Sequence, residues 1–364
     1  MKKNILIVTG GLGVGGIENV VMNFVRYCNR DLFSIDFLLY GEYIGEYEQE
    51  AMQYGCRIIH IRYSKNYFRL YNTIKRVLDV NPGYDIVYAH TFFNSGLVMR
   101  AAKKCGVPKC IVHAHSSMRS NDQSINRRIF QALMRNWITS YSDIRLACSK
   151  QAGEFFFGSK TPYRVIKNGI KVDRFAFSTE KRQQIRKQLN LENSFVIGNV
   201  GRLSKEKNHM FLIDVFHELL RIGPNNSKLL IVGGGSLYSE LKSHIVQLGM
   251  EQDVILTGVR SDVPELMLAM DMFLFPSIHE GLGIGAIEAQ ASGLITVCSD
   301  TVPDEVKITN LVHFLPLSEG AKAWAEKIVL YMNNYGRRDR IADIIAAGYD
   351  LECMVSQIEH IFLE

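Results

Sequence analysis

Two glutamates eight residues apart, Glu280 and Glu288, stand in the segment HEGLGIGAIEAQASG (279–293), with Gly281, Gly283 and Gly285 between them. A carboxylate accepts two hydroxyl protons at once, so such a pair can hold a polyhydroxylated ligand. The same two groups would also suit general acid–base work. Glycine costs a helix interior ~1 kcal/mol relative to alanine. GLGIG therefore reads as a loop whose bare backbone allows close approach, with a helix expected to begin near Ala286. The opening of that helix favours an anion.

Cations stand elsewhere. In GRLSKEKNH, Arg202 and Lys207 follow the apolar run FVIGNV. A guanidinium fork and an ammonium there would clamp a diphosphate and stabilise the charge it gains as a leaving group; taken alone, the pair is more simply a solvated basic turn. IVGGGSLYSEL and LTGVRSDVPELM, the latter carrying Val259 and Arg260, add two more strand–turn–helix junctions. Near the start, GLGVGG (11–16) fits G-x-G-x-x-G, with Gly16 closing the loop and Glu42 past the next strand. That pattern also suits an NAD-dependent oxidoreductase. What both readings share is backbone N–H groups aimed at phosphate.

His90, His113 and His115 end or line two apolar runs. Three imidazoles raise the question of a metal, but no carboxylate or cysteine completes a set at familiar spacing. No Asp-x-Asp occurs in the chain. The expected metal content of the site is none.

The elements that must position these groups are short apolar runs alternating with helix-period stretches, an α/β pattern with parallel sheets. KNILIVTG, SIDFLLYG, CRIIHI, YDIVYAH, KCIVHAH, DIRLACS and YRVIKNGI form one set, the last ending in an expected Asn-Gly turn. After the charged segment STEKRQQIRKQLNL the pattern restarts with FVIGNVG, SKLLIVGGG, DVILTG, MFLFPS and LITVCSD. The boundaries follow: residues 1–170 as one Rossmann-like domain, 171–349 as a second, and a last helix (about 350–364) crossing back to the first. Loops at strand C-termini would face each other across an interdomain cleft.

With 364 residues, 47% hydrophobic and 22% charged, the chain is long enough for two cores. Seven cysteines without C-x-x-C suggest a reduced, cytoplasmic protein. No apolar run reaches the length of a membrane span, and GGLGVGG with Glu18 interrupts any signal-like start. The net charge of +5 is uneven: residues 100–150 hold ten Lys/Arg against two Asp/Glu. Such a patch calls for an anionic partner (nucleic acid, anionic lipid or a phosphorylated substrate) or is simply a solvated basic face.

Taken in order, G-G-x-E, G-R-x-x-x-x-K, V-G-x-G, and E-x7-E between PS and SG, the chain resembles the retaining family 4 glycosyltransferases of the GT-B fold over essentially its whole length. The stretches around EAQASGLITVCSD and IVHAHSS are most similar to bacterial capsular and exopolysaccharide transferases. The resemblance implies that Glu280 holds donor-sugar hydroxyls and Glu288 the ribose diol. It places the amides of Leu282, Gly283 and Ile284 along the sugar and diphosphate, and Arg202 and Lys207 on the phosphates. Gly16 would approach the diphosphate, Val259 and Arg260 the base, and His115 the sugar beside its reacting carbon. Catalysis would rest on His115, Glu280, Arg202 and Lys207. Lys171 stands where the family often has aspartate, and LITV lacks the proline common after SG.

The implied function is metal-independent, anomer-retaining transfer of a sugar from a nucleotide diphosphate sugar, UDP foremost, to a lipid-linked or saccharide acceptor. No separate cofactor and no nucleic-acid partner are expected. The alternatives are a non-catalytic sugar-nucleotide-binding subunit and the oxidoreductase. In SINRRIFQALMRNWI, Ile125, Ile129, Leu133 and Trp137 recur every four residues among Arg127, Arg128 and Arg135. Such a helix suits peripheral contact with an anionic membrane surface, on the inner face of the cell membrane; packed on its own sheet it would do nothing of the kind.

Overall fold

The computed structural model describes residues 2–13, 15–115, 124–224, 226–332 and 336–364. Val14 of the first glycine loop and the two serines of IVHAHSS lie outside them. The central apolar runs form parallel strands buried on both faces, which need apolar residues at successive positions. In β1 (Lys3–Thr9), Ile5 and Ile7 enter one core while Leu6 and Val8 enter another, and all four are fully buried.

The chain divides into two compact units, residues 1–169 with 351–364, and residues 170–350. The first unit holds β1, β2 (Phe33–Tyr40), β3 (Arg57–Ile61), β4 (Ile86–Ala89), β5 (Lys109–Ala114), β6 (Ile144–Ala147) and β7 (Arg164–Val165). Their order is β3-β2-β1-β4-β5-β6-β7, with every neighbouring pair parallel. The order reverses between β1 and β4, the switch point at which open α/β sheets bind ligands.

One local expectation fails. Of YRVIKNGI only Arg164 and Val165 join the sheet, in parallel with β6; Ile170 makes an isolated parallel bridge to Asp350, and no turn forms at Asn168–Gly169. Instead the Gly169 amide reaches Met354 Sδ at 3.2 Å and the Ile170 amide donates to Tyr349 O at 2.9 Å, as the chain passes into the second unit.

The helix Leu351–Leu363 belongs to the first unit for an aromatic reason. Phe362 sets its ring edge-on to Phe24 (5.3 Å), Phe33 (5.9 Å) and Tyr88 (5.3 Å). Lys109 Nζ donates to the carbonyls of Ile361 and Phe362 at 3.0 and 3.3 Å, satisfying acceptors that a helix end leaves open.

The second unit holds β8 (Phe195–Val200), β9 (Ser227–Val232), β10 (Val254–Leu256), β11 (Met272–Phe275), β12 (Ile295–Ser299) and β13 (Val312–Leu315). The order β10-β9-β8-β11-β12-β13, again parallel, puts its switch point between β8 and β11. Two arginines of the charged helix Thr179–Gln188 are structural. Arg182 donates to Leu268 O and Met270 O, both at 2.7 Å, and Arg186 to Ala269 O at 2.8 Å, closing the end of the helix Val263–Ala269.

Candidate active site

Four loops leave the C-terminal ends of β8, β9, β10 and β11, and backbone hydrogen bonds stitch them together. Leu203 donates to Gly234 O (2.9 Å), Gly233 to Gly258 O (2.9 Å), and Ile278 to Glu206 O (2.7 Å). Glycine is required where the loops cross: a Cβ on Gly233 would lie 1.9 Å from Gly201 O. The four strand–turn–helix junctions therefore converge at this edge.

At the switch point, Lys207 Nζ lies 2.6 Å from Glu280 Oε1. Their side chains are 25% and 10% exposed, and the ammonium sits 5.0 Å from the Phe275 ring centroid. Lys207 closes a single 3-10 turn (Lys205–Lys207) before Asn208, whose left-handed φ of 58° turns the chain into the helix His209–Ile222. Arg202 is exposed one residue past Gly201; its charge helps hold the Glu206 carboxyl low, after the hydrogen bonds to that group from Ser204 and its own backbone.

The glycine loop ends at Gly283, whose φ of +98° only glycine adopts readily, and the helix runs Ile284–Ala291. It starts two residues earlier than expected. Gly285 lies inside it despite its poor helix propensity; a Cβ there would make ordinary contact with Phe273 and Phe275, both at 3.6 Å. Leu282 and Gly283 are buried and Ile284 half-buried. Glu288 occupies the second turn, keeping an edge toward solvent but crowded by protein on its other sides. That desolvation pushes its carboxyl up to about 7, against the pull of Arg174 and Lys207.

Val259 is exposed, and its Cγ2 lies where a Cβ on Gly234 would approach within 2.8 Å. Arg260 is held by Asp262 through two bonds of 2.7 and 2.6 Å, so its guanidinium is already engaged. In the first unit, Gly16 opens the helix Gly16–Tyr27 beyond β1. A Cβ on Gly10, Gly11 or Gly16 would meet nothing within 4 Å, so no contact among the described residues demands glycine there.

His90 follows β4 and His115 follows β5, with Nδ1 of the first 2.8 Å from Nε2 of the second. His113 Nδ1 meets the Tyr88 hydroxyl at 2.6 Å. Burial holds all three imidazoles neutral: His90 and His113 well below their ordinary value, His115 lowered to about 3. The three offer nitrogens within 4.8 Å of one another. Zinc would set its nitrogens about 3.3 Å apart, given bonds near 2.05 Å. The 2.8 Å contact instead fits two imidazoles sharing a proton.

Arg202, Lys207, Glu280, Leu282, Gly283, Ile284 and Glu288 thus gather at one edge of the second unit, with Val259 and Arg260 on an adjoining loop. Gly16 and His115 stand at the corresponding edge of the first. Sequence reasoning missed Arg174, whose charge acts on Glu288 from the short turn Val172–Phe175, and the engagement of His90. For Arg174 the signal was an arginine just past the expected domain boundary at 170/171.

Residues 14–174 match the family model described as Glycosyltransferase Family 4, and residues 181–346 that of Glycosyl transferases group 1. The chain belongs to the family 4 glycosyltransferases. It is 29% identical to the glycosyltransferase EpsF of Bacillus subtilis (strain 168), over 99% of this chain and 96% of that one. It is 30% identical to the UDP-Gal:alpha-D-GlcNAc-diphosphoundecaprenol alpha-1,3-galactosyltransferase of Escherichia coli, over 67% of this chain and 64% of that one. Among solved structures, Anabaena HepE in complex with UDP-glucose is similar with a TM-score of 0.80 at 20% identity, covering 99% of each chain. The fold is GT-B, and the enzyme is a glycosyltransferase, not an oxidoreductase.

Proposed function

We propose that this enzyme transfers a sugar from a UDP-sugar to a lipid-linked or saccharide acceptor in capsular, exopolysaccharide or related cell-surface glycan synthesis, with retention and without a metal ion. The observation that carries the proposal is the meeting of Lys207 with Glu280 at 2.6 Å beside the helix that bears Glu288. The E. coli relative is named for a UDP-galactose donor and a diphosphoundecaprenol acceptor, and HepE is seen with UDP-glucose.

In this reading the second unit binds the donor. Glu288 accepts from the ribose diol, and Glu280 from sugar hydroxyls. The amides at Leu282, Gly283 and Ile284 lie along sugar and diphosphate at a helix N-terminus. Val259 and Arg260 lie at the base, chiefly through backbone. Arg202 and Lys207 stabilise the diphosphate as the bond from its oxygen to C1 breaks. The acceptor oxygen bonds C1 on the same face, and its proton passes to the departing phosphate, so no enzymic nucleophile is used. The first unit binds the acceptor and contributes Gly16 toward the diphosphate and His115 toward the sugar.

The first unit also carries an apolar ridge. Ile125, Ile129 and Leu133 are 72%, 62% and 44% exposed along one face of the helix Ile125–Tyr141. Trp137 leaves that face, half-buried under Arg100 at 4.2 Å, and Arg135 is tied to the carbonyls of Phe155 and Phe156. Among the described residues no helix is long and apolar enough to cross a membrane. The ridge, with exposed Arg128 beside it, suits peripheral contact with an anionic membrane surface on the cytoplasmic side.

The test is UDP titration by calorimetry together with donor turnover in excess EDTA after dialysis. Binding with undiminished turnover supports the proposal. Turnover lost to EDTA and restored by manganese or magnesium overturns the metal-free clamp, and UDP binding without turnover leaves a non-catalytic subunit.

A further inference from the structure

The histidine pair of the first unit has an asymmetry that decides where a proton sits. His90 Nδ1 and His115 Nε2 are 2.8 Å apart, the ring planes differ by only 24°, and the centroids are 5.0 Å apart. An imidazole nitrogen lies about 1.1 Å from its ring centre, so these values describe two rings meeting edge to edge in one plane, the geometry of a linear N–H···N bond. Both rings are neutral, and each therefore carries one N–H and one lone pair. The shared bond uses one of each. One N–H and one lone pair remain, divided between His90 Nε2 and His115 Nδ1, and both atoms are buried without a hydrogen-bond partner.

The two arrangements are not equivalent. If His115 donated, the leftover N–H would fall on His90, which is 3% exposed and sits against the Tyr88 and His113 rings. The Tyr88 hydroxyl is directed at His113 Nδ1 and is not a partner of His90 Nε2. An N–H sealed away from every acceptor costs most of a hydrogen bond. If His90 donates, the leftover N–H falls on His115, which ends its strand and keeps part of its surface exposed, although Nδ1 itself is buried.

We propose that His90 is a positioning residue for His115. Its Nδ1–H donates to His115 Nε2, locks His115 in the Nδ1–H tautomer, and so presents an N–H donor, not a lone pair, to an oxygen of the donor sugar. The sugar part of this statement rests on the reading of His115 given above; the direction of the histidine bond does not.

The test uses the full-length protein with 15N-labelled histidine. Long-range 1H–15N correlations show which ring nitrogen of His115 carries the proton, with the signal assigned by its loss in His115→Gln. The wild type should show Nδ1–H. His90→Asn, whose side-chain amide can donate near the same place, should keep that tautomer. His90→Ala should release His115 to the Nε2–H form and lower kcat roughly 10–100-fold, the range seen when a histidine's outer partner is removed, with donor KM and UDP affinity little changed. An Nε2–H signal for His115 in the wild type overturns the proposal, and so does a His90→Ala protein with unchanged tautomer and kcat. Should His90→Ala fail to fold, the wild-type and His90→Asn spectra still decide. Normal turnover in His115→Gln would remove His115 from the sugar, while the tautomer measurement would still judge the role of His90.

Discussion

The ammonium of Lys207 and the carboxylate of Glu280 form one ion pair, 2.6 Å long, between loops 73 residues apart. The backbone bond from Ile278 to Glu206 holds those loops in register, so the pair is built by the scaffold and not by chance contact of long side chains. A cation assigned to phosphate and a carboxylate assigned to sugar are thereby coupled before any ligand arrives.

Their losses should nonetheless separate. Lys207→Ala should weaken free UDP by ~1.5–3 kcal/mol, the range for charge-assisted hydrogen bonds. Glu280→Ala should leave free UDP nearly unchanged yet impair the intact donor and its turnover. In the double variant the effects on donor turnover should fall short of additive, because the partners touch. Calorimetry with UDP and with donor reads all three. Abolished UDP binding in Glu280→Ala would put that carboxylate on the nucleotide instead.

Glu288 supplies a pH signature. Its carboxyl titrates near 7 in the folded protein against an ordinary 4.5, because burial penalises the charge. The folded state therefore holds this proton more tightly than the unfolded chain. Its contribution to stability is complete below about pH 4.5 and is lost as pH rises through 7, up to ~3 kcal/mol by linkage. Glu288→Gln should flatten that part of the stability profile and gain stability at pH 8 in urea titrations. A ribose diol donating to the carboxylate favours the charged form, so UDP binding near pH 6 should release a proton, seen as a buffer-dependent calorimetric heat. Identical heats across buffers in wild type and Glu288→Gln would count against the ribose assignment.

His115→Ala should fold, bind UDP with near-normal affinity and lose transfer, since UDP lacks the sugar that His115 is assigned to meet. Activity within a few-fold of wild type would take His115 out of the site.

The exposed ridge makes a prediction about lipid. Ile129→Glu and Leu133→Glu change surface positions, so stability should shift by no more than ~0.5 kcal/mol. Flotation with anionic vesicles should fall sharply in both and should weaken with salt in the wild type. Flotation indifferent to these changes and to lipid charge would leave the ridge without a membrane role.

The parts visible in the chain alone were those with a short repeat distance. Two-faced apolar strands, glycine turns after them and the E-x7-E spacing are each contained within twenty residues, and they placed Glu280 before and Glu288 within the same helix. What stayed hidden was contact at long separation. The Lys207–Glu280 pair, the charge of Arg174 on Glu288 and the His90–His115 bond depend on which strands lie side by side, and strand order is not written in periodicity. Two local readings also failed. Gly285 lies inside the helix Ile284–Ala291, where a Cβ would meet Phe273 and Phe275 at an ordinary 3.6 Å, and Trp137 leaves the apolar stripe to lie under Arg100.

The helix Leu351–Leu363 has a consequence for the order of events at the ribosome. Phe24, Phe33 and Tyr88 are translated early, yet the ring that seals them, Phe362, emerges only after the entire second unit. Domains commonly fold from the N-terminus during synthesis, but here the N-terminal unit must wait with an unfinished core while the unit behind it, continuous from residue 170 to 350, can close first. The nascent first half thus keeps the place of Phe362 open until the last, and a stop codon near residue 350 would injure the half of the protein farthest from it in sequence.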